Sequence, residues 1–124
     1  MNQNTLFYTL SRWIVTIFTV LMVVTAALAS NGIWRKGDIE WLIPGHMHLG
    51  NTLFAMAVVQ MAICYFLFTK RQLGGWPMLA SAMVFVLTLA QIGLGYSTRS
   101  HYVDLVPWHI TLGVLLTGAA GMLT

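Results

Sequence analysis

Charge is what this sequence has least of. Lys and Arg number six and Asp and Glu three among 124 residues, so charged residues make up 7%, against roughly 25% in an ordinary soluble domain. Cysteine is almost missing too. Cys64, in "MAICYFLF", stands alone, which excludes an intrachain disulfide and suggests a small buried apolar group. No basic block points to nucleic acid. Nothing has the pattern of a Ser/His/Asp triad, a phosphate-binding loop or a paired acid–base site.

The positions of the few charges matter more than their number. Between Arg12 and Arg35 lie 22 uncharged residues, between Glu40 and Lys70 lie 29, and between Arg71 and Arg99 lie 27. The 20 residues after Asp104 are also uncharged. About 20 apolar residues cross the ~30 Å hydrocarbon layer as a helix, and backbone in lipid must satisfy its own hydrogen bonds. The expectation is an all-α protein of four transmembrane helices, at about 13–30, 46–68, 77–97 and 107–124, in a single integral-membrane domain. The abrupt stop at Met122-Leu123-Thr124 suggests a polar tail beyond it. No carboxylate lies inside any of these stretches, so the helices carry no carboxylate proton relay. "AALAS" looks like a cleavage site, but the apolar run is longer than a signal-peptide core and no positive charge precedes Arg12. Helix 1 is therefore expected to be retained.

Orientation follows from Lys and Arg beside the helices. Three lie on each side: Arg12, Lys70 and Arg71 against Arg35, Lys36 and Arg99. "TKRQ" is the tightest basic loop and has no acid, so both termini are expected inside. The protein would then lie in the cell (inner or plasma) membrane.

Against this apolar background the sequence repeats. "PGHMHLGNTL" from Pro44 and "PWHITLGVLL" from Pro107 share P-x-H-x-x-L-G-x-x-L at a shift of 63 residues. Pro44, His46, Leu49, Gly50 and Leu53 align with Pro107, His109, Leu112, Gly113 and Leu116, and Ala57 aligns with Ala120. The same shift lays Thr25 on Thr88 and Gly32 on Gly95, a weaker match between helices 1 and 3. The repeat units run over about 1–62 and 63–124. Each has two helices, so both cross in the same sense, with the pseudo-two-fold axis along the membrane normal.

Two helices related in this way bring His46 and His109 to one depth on equivalent faces. Facing imidazoles are a ready pair of ligands for one metal centre. Gly50 and Gly113 stand four residues on, about 40° off the histidine face, and would leave room for the edge of a flat cofactor. Leu53, Leu116, Ala57 and Ala120 extend an apolar wall below. Haem iron takes axial imidazoles, and bundles often build cofactor sites from facing helices. Zinc suits the set less, because only two ligands are symmetric. The competing reading places both histidines in the headgroup layer beside Trp41 and Trp108. Arg35 and Arg99 lie on the histidine side and could pair with haem propionates or with headgroup phosphates. His48 is 200° from His46 and cannot share its centre, and His101 reads as a loop residue. Gln60 and Gln91 are expected to form interhelical hydrogen bonds.

"GHMHLG", "LVPWHITLGVLL" and "LAQIGLGY" together resemble one half of the haem A synthase family. In that family the histidines opening helices 2 and 4 of each half bind haem on the extracytoplasmic side, which the resemblance transfers to His46 and His109. The catalytic glutamate of the family, three residues before the helix 2 histidine, is replaced by Ile43. The first external loop also lacks the cysteine pair that many bacterial members carry, and the chain is half the usual eight-helix length. The vesicle-type b cytochromes are a weaker resemblance, through His46, Gly50 and Gln60.

The reading favoured by these features is a membrane protein with one b-type haem, transferring electrons as a small subunit beside other membrane proteins or as a homo-oligomer in the lipid bilayer. The alternatives are a haem-modifying enzyme that oligomerises and a haem-free structural or assembly subunit.

Overall fold

Long apolar stretches leave the backbone no partner but itself, and each one closes its hydrogen bonds as a helix. The structure, a computed structural model, describes residues 3–34, 42–100 and 103–123. It is all-α: α1 (Gln3–Trp34), α2 (Leu42–Thr69), α3 (Gly75–Ser100) and α4 (Val106–Gly121), with a short 3-10 turn at Val103–Leu105 before α4. Arg35, Trp41 and His101 lie outside the described residues, as does the side chain of Arg99.

The first three helices, of 32, 28 and 26 residues, are longer than the spans expected from the sequence. α1 starts ten residues before the expected position 13, because no glycine or proline interrupts the chain before Gly32. Neutral polar residues and one arginine do not stop a helix; they only stop the apolar run. Proline marks three of the four starts. Pro44, Pro77 and Pro107 each sit in a first helical turn, where the missing N–H would have had no intrahelical acceptor.

The end of α2 is also built from named bonds. Arg71 N–H donates to Phe68 O at 2.9 Å and Gln72 N–H to Leu67 O at 3.0 Å, the pair that defines a Schellman C-cap. This cap needs a left-handed residue, and Arg71 adopts it at φ 57°. Glycine would do so without strain, whereas a side chain there costs roughly 1–2 kcal/mol.

Three helices carry spans long and apolar enough to cross a membrane: Thr5–Asn31, Leu42–Thr69 and Gly75–Thr98. The protein is accordingly membrane-embedded. α4 is equally apolar but has 16 residues, about 24 Å at 1.5 Å per residue. It ends three residues short of the expected 124, where Met122 N–H turns back onto Gly118 O and Ala119 O.

Each helix packs on the next, and α4 returns to touch α1. The core takes residues from all four: Phe18 and Met22, Leu53 and Ala57, Val84, and Leu116, Ala119 and Ala120. Residues paired by the 63-residue shift share this burial. Leu53 and Leu116, Ala57 and Ala120, and Thr25 and Thr88 are all buried. The outward faces are just as apolar, with Trp13, Val20, Val23, Val86 and Val114 exposed. In water such faces would drive aggregation; in lipid they are the expected surface.

Leu116→Ala should therefore cost about 2–4 kcal/mol, the range for emptying a packed leucine site. Val114→Ala, on the lipid-facing side, should change stability by less than about 0.5 kcal/mol. Unfolding in a rising fraction of sodium dodecyl sulfate, followed by circular dichroism, measures both.

Candidate functional site: a histidine pair across the bundle

The opening turns of α2 and α4 place His46 and His109 at the same end of the bundle, four residues into α2 and three into α4. Their rings face each other, with centroids 6.0 Å apart and planes at 80°. Both side chains are half-buried. His48, by contrast, is exposed, and its backbone carbonyl accepts a bond from Thr52 Oγ1 at 3.0 Å.

The two rings are held differently. His46 Nδ1 lies 3.0 Å from the backbone carbonyl oxygen of Thr25 in α1. A carbonyl only accepts, so Nδ1 carries the proton and donates it. Nε2 is left with its lone pair, the form in which an imidazole binds metal. His109 instead meets a side chain: Gln91 Nε2, on α3, lies 3.4 Å from His109 Nε2. An amide N–H donating there puts the ring proton on Nδ1, and His109 Nδ1 is buried without a partner. Gln91 Oε1 is buried without a partner as well. Turning the amide end for end exchanges donor and acceptor but leaves one atom of each side chain unpaired.

Unpaired polar atoms concentrate here. Among the described residues, five buried side-chain atoms lack a hydrogen bond, and Thr25 Oγ1, Gln91 Oε1 and His109 Nδ1 are three of them. Each such atom costs about 1–3 kcal/mol. Water or a bound group able to hydrogen-bond these atoms would relieve that cost.

The glycines divide. A Cβ at Gly50 would meet nothing within 4 Å, leaving that face of α2 open. A Cβ at Gly113 would lie 3.2 Å from Gln91 Nε2, so the cradle expected on α4 is filled by the Gln91 amide. The sequence periodicity of α4 could not reveal this, because the filling group comes from α3. A third glycine was missed as a site residue. A Cβ at Gly95 would lie 3.2 Å from His109 Cε1, so Gly95 lets the imidazole lie against the α3 backbone. Its alignment with Gly32 was the available signal. Both glutamines make the expected interhelical bonds. Gln91 reaches His109, and Gln60 Nε2 donates to Ser11 Oγ at 2.7 Å.

The donor set can be tested against a bound group. No cluster of three or more His, Cys, Asp or Glu exists among the described residues, so a tetrahedral zinc site would lack protein ligands. Two imidazoles across one centre fit an axial pair. With metal–imidazole bonds of about 2.0–2.1 Å, opposed rings have centroids roughly 6.3 Å apart, close to the 6.0 Å observed. The open face at Gly50 and the lone pair of His46 Nε2 suit a flat group carrying that metal. At His109 the group would have to displace Gln91.

Comparison with protein-family models, curated proteins and solved structures returned no significant match for this chain.

Gly95→Ala should push the His109 ring off α3, whereas Gly50→Ala should leave both rings in place. Imidazole chemical shifts of the protein in detergent micelles report this directly. Unchanged His109 resonances in the Gly95 variant would contradict the close approach.

Proposed function

We propose that the chain is a b-type haem protein of the cell (inner or plasma) membrane, in which His46 and His109 hold one haem. It would transfer electrons as a small subunit of a larger respiratory or redox assembly. The observation that carries this reading is the close pair of imidazoles, with the Thr25 carbonyl fixing the His46 tautomer so that Nε2 keeps its lone pair. When bound, the group supplies one-electron oxidation and reduction at its iron. The chain's own residues do the rest. His46 and His109 would both hold the iron through their imidazoles, a ligand pair that suits electron transfer rather than oxygen or substrate binding. The carbonyl of Thr25 keeps His46 oriented and fixes which ring nitrogen carries the proton. Leu53, Ala57, Leu116 and Ala120 form a dry wall below the pair, excluding water from the site. Arg35 and Arg99 remain candidates for the propionates.

Ile43, three residues before His46, is 42% exposed. It can neither transfer a proton nor stabilise a developing cation, which disfavours haem oxidation of the haem A synthase kind.

His46→Ala and His109→Ala should each abolish stoichiometric haem, while His48→Ala should keep most of it. The reduced-minus-oxidised spectrum of the purified protein reads this out, and full haem retention in both alanine variants would defeat the assignment. Rings kept near 80° should also give the ferric protein a highly anisotropic low-spin resonance signal. Haem A accumulating in a host that makes haem O but lacks its own synthase would promote the enzyme instead. A preparation with ample haem and no Soret band would favour the structural subunit.

The histidine end is proposed to be extracytoplasmic, with the α2–α3 loop inside. A cysteine at Gly74 has room, its Cβ meeting only Pro77 Cδ at 3.9 Å. An impermeant maleimide added to intact cells should label a cysteine at position 37 and spare one at 74. Labelling at 74 alone reverses the orientation.

A further inference from the structure

At the end of the bundle opposite the histidines, positive charge collects, and no acid among the described residues lies there to balance it. Arg12 is exposed, yet it lies within the apolar span Thr5–Asn31 of α1. Lys70 and Arg71 follow α2 on the adjoining loop. Asp104, the one acid whose side chain is described, lies beside α4 at the histidine end. An ionised group within a membrane span is costly and finds a partner. For Arg12 the described residues supply none.

The surroundings of Arg12 indicate what the partner is. Thr5, Tyr8, Thr9 and Arg12 lie one turn apart on one face of α1, and with Gln72 they line an open groove of about 530 Å³. Tyr8, Thr9, Arg12 and Gln72 spend none of their side-chain hydrogen-bonding groups on other described residues. The groove thus offers three hydroxyls, an amide and a guanidinium, a donor set suited to the oxygens of a phosphate. Its flanks are apolar and outward-facing, with Leu6, Trp13 and Phe68 exposed. A polar floor beside apolar flanks suits an amphiphile better than a free ion.

The backbone adds an independent observation. Arg71 holds the left-handed position of the α2 cap at φ 57°, a place that favours glycine. Strain of this kind marks positions where the side chain itself has a use. Here the residue is a second arginine, the chain neighbour of Gln72, while Lys70 is held with its Nζ 5.7 Å from the centre of the Phe66 ring.

We propose that Arg12, Tyr8, Thr9 and Gln72 bind the phosphodiester of an anionic lipid headgroup, with Lys70 and Arg71 at the rim favouring net negative lipids. The site owes nothing to haem. Three uncompensated cations select phosphatidylglycerol-like headgroups over zwitterionic ones, because a choline would bring a further positive charge to the same rim.

Native mass spectrometry of the full chain, delipidated in nonionic detergent, tests the assignment. The probes are dioleoyl phosphatidylglycerol, dioleoyl phosphatidylcholine and inorganic phosphate, each added alone. The wild type should retain one phosphatidylglycerol and bind phosphatidylcholine more weakly. Arg12→Gln should weaken the phosphatidylglycerol adduct about ten- to hundredfold, the loss expected for one charge-assisted contact. Arg71→Gly accepts the left-handed backbone without strain, so it keeps the fold while removing a rim charge, and it should reduce the preference for phosphatidylglycerol over phosphatidylcholine. Equal retention of the two lipids by the wild type, or an undiminished adduct in Arg12→Gln, overturns the proposal. Binding of inorganic phosphate without a lipid adduct assigns the groove to a free anion and overturns the lipid.

Discussion

An imidazole set among apolar helices has two ring nitrogens to place and few groups to place them on. That constraint organises the histidine end of this bundle. His46 meets it with the Thr25 carbonyl of the neighbouring helix, since a carbonyl oxygen has a second lone pair beyond the one its own helix uses. His109 meets it halfway, through Gln91, and keeps one nitrogen unpaired. The same economy acts on the glutamines. Gln60 donates to both Ser11 and Cys64 while its oxygen stays without a partner. Polar groups are so scarce inside this protein that the few bonds between helices, at His46, Gln60 and Gln91, constrain where the neighbouring helices can sit.

The two halves are alike in what they bury and unlike in what they bond. Leu53 and Leu116, or Ala57 and Ala120, occupy matching places in the core. Their chemistry is carried by shape, which a pseudo-two-fold axis can copy. The difference enters at one aligned pair of positions, Leu28 in α1 and Gln91 in α3. Leucine has no group to donate or accept, so His46 turns to a backbone carbonyl. Glutamine has both and reaches across to α4, so His109 meets a side chain. A single difference in an outer helix thereby gives two equivalent histidines different tautomeric constraints.

Much of this was legible in the sequence, and the parts that were not share a cause. Four charge-poor stretches and the 63-residue repeat are patterns along the chain itself, and they led to four helices with His46 and His109 at one level. Helix ends were less legible. The start of α1 at Gln3 depends on backbone propensity, whereas the expected start at 13 followed hydropathy alone. Contacts between helices were not legible at all. The Gln91 amide against Gly113 and the His109 ring against Gly95 depend on the rotation of α3 relative to α4, which no periodicity within one helix records. Arg35, part of the expected propionate site, lies outside the described residues, and so does the side chain of Arg99.

The lone cysteine has a practical consequence. Cys64 is 2% exposed and accepts a bond from Gln60 Nε2 at 3.3 Å, deep in α2. Packed inside the bundle, its sulfur is out of reach of water-soluble alkylating reagents. The native chain behaves as its own silent background: a spin label or fluorophore attached through an introduced thiol would report from one position, without first disturbing the core to remove the natural one.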